Sequence, residues 1–203
     1  MINHSIIKVK SSKSSSGHDI DNLYLFHEPK VSSVVILFPG KGYTCSGPLL
    51  YYARKTALQF GNDVLAFETD VYNQPFENIF EAVKECLNNQ YEKIFFISKS
   101  LGTKFAGEMS KQIGYDRIHN MFLTPIPDAA PYICETECSV IYGSKDTFMS
   151  DEIVNKLRNF PNVGMHVIKD AGHSLEIQDD YLKSLEALTY TAKQYERFFT
   201  GEK

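Results

Sequence analysis

The sequence has no apolar run long enough to cross a membrane. The longest in its first half, Val34-Val35-Ile36-Leu37-Phe38, is five residues, against the roughly 20 that a helical span requires. It also has no excess of positive charge: 21 Lys and Arg stand against 25 Asp and Glu, a net charge of −4. A nucleic-acid partner, which calls for a basic stripe, is therefore not expected. The opening "MINHSIIKVK" has neither an apolar h-region nor a cleavage signature, so no export signal and no membrane association are expected.

Metal and nucleotide motifs are missing as well. The four cysteines, Cys45, Cys86, Cys134 and Cys138, have neither disulfide nor zinc spacing, and no second Cys/His pair lies near Cys134 and Cys138 to complete four ligands. They read as buried or idle thiols in a reducing cytoplasm, with no metal site. "PGKG" at 39–42 resembles part of a phosphate loop, but Val35 and Gly42 occupy positions where a Walker A loop needs Gly and Ser/Thr. Cys45 stands where the third glycine of G-x-G-x-x-G would fall. Nucleotide binding is thus not expected.

What is present is a regular alternation. At 203 residues, 43% hydrophobic and 23% charged, the chain suits one globular domain, 1–203, that buries roughly 70% of its unfolded surface. Two β-rich segments, Ile6–Val9 and Leu23–Phe26, flank the serine-rich "KSSKSSSGHD", with Gly17 free to take a positive φ. Six further strands are predicted over 33–38, 63–68, 93–98, 119–124, 138–143 and 164–169. Helical patterns fill 47–61, 76–89, 101–113, 151–160 and about 179–199. In the last, Leu182, Leu185, Leu188, Ala192, Tyr195 and Phe199 fall on one face. Alternating strands and helices imply parallel pairing and right-handed crossovers. The expected fold class is α/β: a three-layer α/β/α sandwich on a mostly parallel eight-stranded sheet, with an antiparallel N-terminal strand pair.

Within it, "IFFISKSLGTKFAG" (94–107) puts Ser100 between a strand and a helix, with small residues two positions away on each side, Ser98 and Gly102. A strand turning directly into a helix crowds the backbone there and pushes the middle residue outward, the logic of the nucleophile elbow G-x-S-x-G. A serine at a helix start is also a favoured N-cap, so the spacing needs partners. A nucleophilic serine needs a base, usually histidine, and a carboxylate to orient it. Of six histidines, only His173, in "KDAGHSLE", follows the carboxyl end of a strand, in a loop with a flexible Gly172. The carboxylate should follow a strand too. Asp146 in "YGSKD" does so; Asp151 is a second candidate that reads more naturally as a first-turn helix residue beside Glu152.

The order Ser100, Asp146, His173, with "SKSLG", "YGSKD" and "AGHS" at successive strand ends, resembles the α/β-hydrolase superfamily over almost the whole chain. Ser98 in place of the first elbow glycine is the one departure. The resemblance implies a single α/β-hydrolase domain without a cap. It also implies a serine hydrolase that cleaves a small ester, thioester or amide through an acyl-enzyme, with no cofactor. The partner is then a small-molecule acyl substrate, and the location cytoplasmic. The N–H of Leu101 supplies one oxyanion donor, and by resemblance Lys41 supplies the other, with Gly42 or Tyr43 as near alternatives. A non-catalytic binding or regulatory protein of the same fold, and an acyltransferase or lyase using the same residues, remain as alternatives. The connection 125–137, with Pro125, Pro127 and Pro131, is expected to cross to the next strand without forming even a two-turn helix. It would leave Ile126 or Tyr132 at the rim, Tyr43 and Tyr72 as walls, and Lys41 and Lys99 as cations facing the substrate.

Overall fold

The computed structural model describes residues 1–11 and 18–201; most of the serine-rich loop, with Gly17, lies outside them. Eight strands, β1 (Ile2–Val9), β2 (Ile20–His27), β3 (Ser33–Phe38), β4 (Asp63–Ala66), β5 (Lys93–Lys99), β6 (Ile118–Leu123), β7 (Cys138–Gly143) and β8 (Val163–Ile168), form one sheet in the order β1-β2-β4-β3-β5-β6-β7-β8. β1–β2 and β2–β4 pair antiparallel, and every other neighbour pair is parallel. This is the expected three-layer sandwich, with strand bounds shifted by a few residues.

The central strands are apolar on both faces because both faces are covered. In β3, Val34, Ile36 and Phe38 join one core with α2 (Phe76–Leu87), α3 (Leu101–Ile113), α4 (Ala130–Glu135) and α5 (Asp151–Arg158). Val35 and Leu37 join the other with α1 (Pro48–Gln59) and α6 (Tyr181–Thr200).

Two expectations fail here. The 125–137 connection does form helix: a 3₁₀ turn over Pro127–Ala129 runs into α4. Pro127 and Pro131 each stand in a first turn, where the missing N–H has no intrahelical partner to lose and the fixed φ favours the helix. The prolines begin the helix rather than prevent it. In α6, Leu182 and Leu185 are 58% and 55% exposed, and the buried positions are Ala187, Thr191, Gln194 and Tyr195. The inward position of the first turn belongs to Ser184, whose Oγ accepts from Ile177 N–H at 2.9 Å and meets the Asp180 carbonyl at 2.9 Å. That turn lies on the 170–180 loop, a polar support, so its leucines face out.

Candidate active site

β5 ends on Lys99 and α3 begins at Leu101, which leaves Ser100 alone to make the turn. Its backbone sits at φ 50°, ψ −119°, a conformation that costs a non-glycine residue about 1–3 kcal/mol. Local bonds hold it there. Ser100 N–H donates to the Leu123 carbonyl at 3.0 Å. Its own carbonyl accepts from the Thr103 N–H at 2.9 Å and from Thr103 Oγ1 at 2.6 Å. At Gly102, a Cβ would come within 2.4 Å of the Phe38 carbonyl oxygen and 2.5 Å of that of Pro39, so the position requires glycine. At Ser98 a side chain fits, because its buried hydroxyl donates to the Met121 carbonyl at 3.4 Å. Ser100 makes no side-chain capping bond to α3.

Its hydroxyl meets His173 instead: Oγ and Nε2 are 2.8 Å apart. The other imidazole nitrogen, Nδ1, lies 2.9 and 3.0 Å from the two carboxylate oxygens of Asp146. The Asp146 side chain is wholly buried, and the Phe148 N–H donates to its Oδ1 at 3.0 Å. The Phe148 ring lies against the imidazole, with 4.7 Å between centroids.

The aspartate and histidine loops touch directly. A Cβ at Gly143 would lie 2.2 Å from the Ala171 carbonyl oxygen. The Lys145 N–H donates to that same oxygen at 2.9 Å, and Asp170 N–H donates to Ser144 Oγ at 2.8 Å. Gly172 is not what lets the loop turn: a Cβ there would meet open space, and the positive φ values fall on Asp170 (62°) and Leu175 (61°). Asp151 lies in the exposed first turn of α5, behind the cap Ser150.

The loop after β3 lies against the serine from the other side. A Cβ at Gly40 would stand 3.1 Å from Ser100 Cβ. The Tyr43 N–H donates to the Gly40 carbonyl at 3.1 Å, closing a turn centred on exposed Lys41 and Gly42, with Gly42 at φ 69°. Leu101, as first residue of α3, has no intrahelical acceptor for its N–H. The amino end of α3 and the Gly40 loop thus both border Ser100.

The remaining expected residues divide. Tyr72 donates to the Pro39 carbonyl at 2.5 Å and packs its ring, tilted, against Phe105 with 4.4 Å between centroids; burial pushes its phenol well above the ordinary value. Tyr43 Oη accepts from the Leu49 N–H at 2.9 Å. Both hydroxyls brace the loop and its neighbouring helix. Half-buried Ile126 donates its N–H to Thr103 Oγ1 at 3.4 Å, next to the elbow. Tyr132 packs on α3, where a Cβ at Gly107 would lie 2.5 Å from its own Cβ, and so does not form the rim.

Lys99 overturns the expectation of a cation facing substrate. It is 4% exposed. Its Nζ donates to the His173 carbonyl at 3.3 Å and to Thr124 Oγ1 at 3.4 Å, and sits 4.8 Å from the Tyr43 ring centroid. Burial pulls its pKa below the ordinary lysine value, against the opposing pull of Asp146 and Glu176. Thr124, at φ 44°, was not foreseen; neither was Phe148. Its place two residues after a candidate carboxylate was the only signal for it. Among the described residues, no three His, Cys, Asp or Glu side chains cluster so as to hold a metal ion, and no helix is long and apolar enough to cross a membrane.

No family model matches the chain, and no curated protein sequence does either. Solved structures do. An esterase from Pyrococcus furiosus superposes with a TM-score of 0.71 at 15% identity, over 98% of this chain and 91% of that one. A dienelactone hydrolase from Anabaena variabilis gives 0.70 at 13%, over 98% of each. A serine hydrolase from Cycloclasticus zankles gives 0.68 at 12%, over 99% of each. At such identities the likeness is one of fold: this chain has the α/β-hydrolase fold.

Proposed function

We propose that this protein, a single domain without a cap, is a serine hydrolase that cleaves a small ester, thioester or amide through an acyl-enzyme. The observation that carries the reading is the continuous chain Ser100 Oγ–His173–Asp146, with spacings of 2.8 and 2.9 Å, on a strained turn that serves no capping purpose. Ser100 Oγ attacks the acyl carbon while Nε2 of His173 takes its proton. Asp146 accepts from Nδ1–H, which fixes the tautomer that leaves Nε2 free, and offsets the imidazolium charge as it forms. The Leu101 N–H and that of Lys41 receive the oxyanion, each donor worth roughly 3–4 kcal/mol of transition-state stabilisation. The same imidazole returns the proton to the leaving group, then activates water for deacylation. The rings of Tyr43 and Tyr72, with Ile126, bound the acyl pocket.

The test is turnover of a panel of small esters and thioesters, together with labelling by a fluorophosphonate. Ser100→Ala should abolish both. Asp146→Asn should keep the fold and lose on the order of 10⁴ in kcat, because the amide favours the wrong tautomer; Asp151→Asn should match wild type. An Ser100→Ala variant with wild-type turnover would sink the reading.

A further inference from the structure

At the opposite end of the sheet from Ser100, the last turns of α6 cross the amino ends of β6, β7 and β8 and leave a cavity of about 410 Å³. That volume is in the range of small-molecule sites, roughly 300–1,000 Å³. Its lining is chemically divided. Met121, Val163 and the Phe198 ring give it an apolar wall; Gln194, Arg197 and His166 give it a polar one.

Gln194 is the telling residue. It is only 5% exposed, it lines the cavity, and among the described residues its amide makes no hydrogen bond. No side-chain N or O atom among the described residues is both buried and unpartnered, so the amide atoms of Gln194 open onto the cavity, where a ligand can meet them. Arg197 lies one turn further along the same helix face. Its guanidinium forms no ion pair among the described residues, though it stands near enough to His166 to hold that imidazole, with burial as the larger cause, below its ordinary pKa. The Tyr190 hydroxyl approaches His166 Nδ1 at 3.4 Å, which steadies the ring at the cavity edge.

We propose that this cavity is a binding site for a small organic monocarboxylate. Arg197 presents the planar fork that matches a carboxylate, the Gln194 amide donates to one of its oxygens, and the apolar wall takes the body of the ligand. Two features favour a single negative charge over a phosphate. Glu137 also lines the cavity, and the C-terminal end of α6 carries the negative end of its helix dipole. Both repel a dianion more than a monoanion. None of the residues in the proposal takes part in the chain from Ser100 to Asp146, so the site stands independently of the hydrolase reading.

The experiment is an amide NMR titration of the full protein with sodium benzoate, neutral benzamide and inorganic phosphate in turn. Benzoate should give saturable shifts of the Gln194 side-chain amide and of the backbone from Arg197 to Gly201, with benzamide at least tenfold weaker. Arg197→Gln, at an exposed position where the fold is not at risk, should weaken benzoate tenfold or more, the scale of one lost charged hydrogen bond. It should leave benzamide unaltered. The proposal is overturned if benzoate does not saturate by about 10 mM, or if its shifts map elsewhere. It also fails if benzamide or phosphate binds as tightly, or if Arg197→Gln leaves benzoate affinity intact.

Discussion

Ser100 is held in a conformation that its side chain resists and glycine does not. Ser100→Gly should therefore do two opposite things. Activity disappears with the hydroxyl, while relief of about 1–3 kcal/mol of strain outweighs glycine's cost of roughly 0.5–1 kcal/mol in the unfolded chain. We expect an inactive protein more stable by about 1 kcal/mol, seen as a melting temperature raised by roughly 2–4 °C. A less stable variant would mean that the turn stores no strain. The three hydrogen-bonded residues Ser100, His173 and Asp146 were legible in the sequence because each follows a strand end at short, fixed spacing: Ser98-x-Ser100-x-Gly102, Asp146 three residues after Gly143, His173 five after Ile168. Lys99 was legible as a neighbour of Ser100 and misread in direction. Nothing in its local sequence tells that Thr124 and His173, 25 and 74 residues away, supply acceptors deep enough to draw an ammonium inward.

At the scale of elements, the proposed site is bordered by the short connection from β6 to β7. α4 is six residues long and packs beside α3; it provides no long covered channel over the elbow. On the proposed reading the acyl group meets the rings of Tyr43 and Tyr72 and Ile126, with no lid to move. Hydrolysis of p-nitrophenyl acetate and butyrate should accordingly exceed that of octanoate and palmitate in kcat/KM, with no jump in rate when micelles form. A preference for palmitate, or micellar activation, would show that a long apolar tunnel opens in solution. The helix itself was hidden because proline reads as a breaker along a sequence and as an initiator only once the first turn is located. The exposed leucines of α6 were misassigned for a related reason: periodicity gives the face of a helix, and the support under each turn comes from another part of the chain.

Across the whole molecule, the end of the sheet remote from Ser100 is pinned by buried acids. Tyr91 donates to Asp63 Oδ2 at 2.5 Å, and Tyr24 and Tyr91 hydrogen-bond hydroxyl to hydroxyl. Asn89 donates to Tyr24 Oη at 3.0 Å, and the His27 N–H to Asp63 Oδ1 at 2.8 Å. Burial pushes the Tyr24 phenol up to about 12; burial and then Asp63 push Tyr91 up as well. In the unfolded chain a phenol titrates near 10. Between these values the native state holds protons that the unfolded state has released, so stability is complete below about pH 10 and falls as pH rises toward about 12. Urea midpoints measured across that window should drop, and less steeply in Tyr91→Phe, which starts about 1–3 kcal/mol lower for want of a donor to Asp63. Equal slopes in the two proteins would remove Tyr91 from the alkaline transition.

Lys99 gives the proposed reaction one further property. It is joined to Ser100 by a peptide bond, and its ammonium grips the carbonyl of His173. Proton hand-over depends steeply on the gap between Oγ and Nε2 and not at all on where the pair sits in space. With donor and acceptor fixed to a common mount, a tilt of the elbow carries the imidazole with it, and the motion cancels from the gap. On the proposed reading this mount favours an alignment that survives the breathing of the surrounding loops, much as an optical path survives vibration when source and detector share one bench.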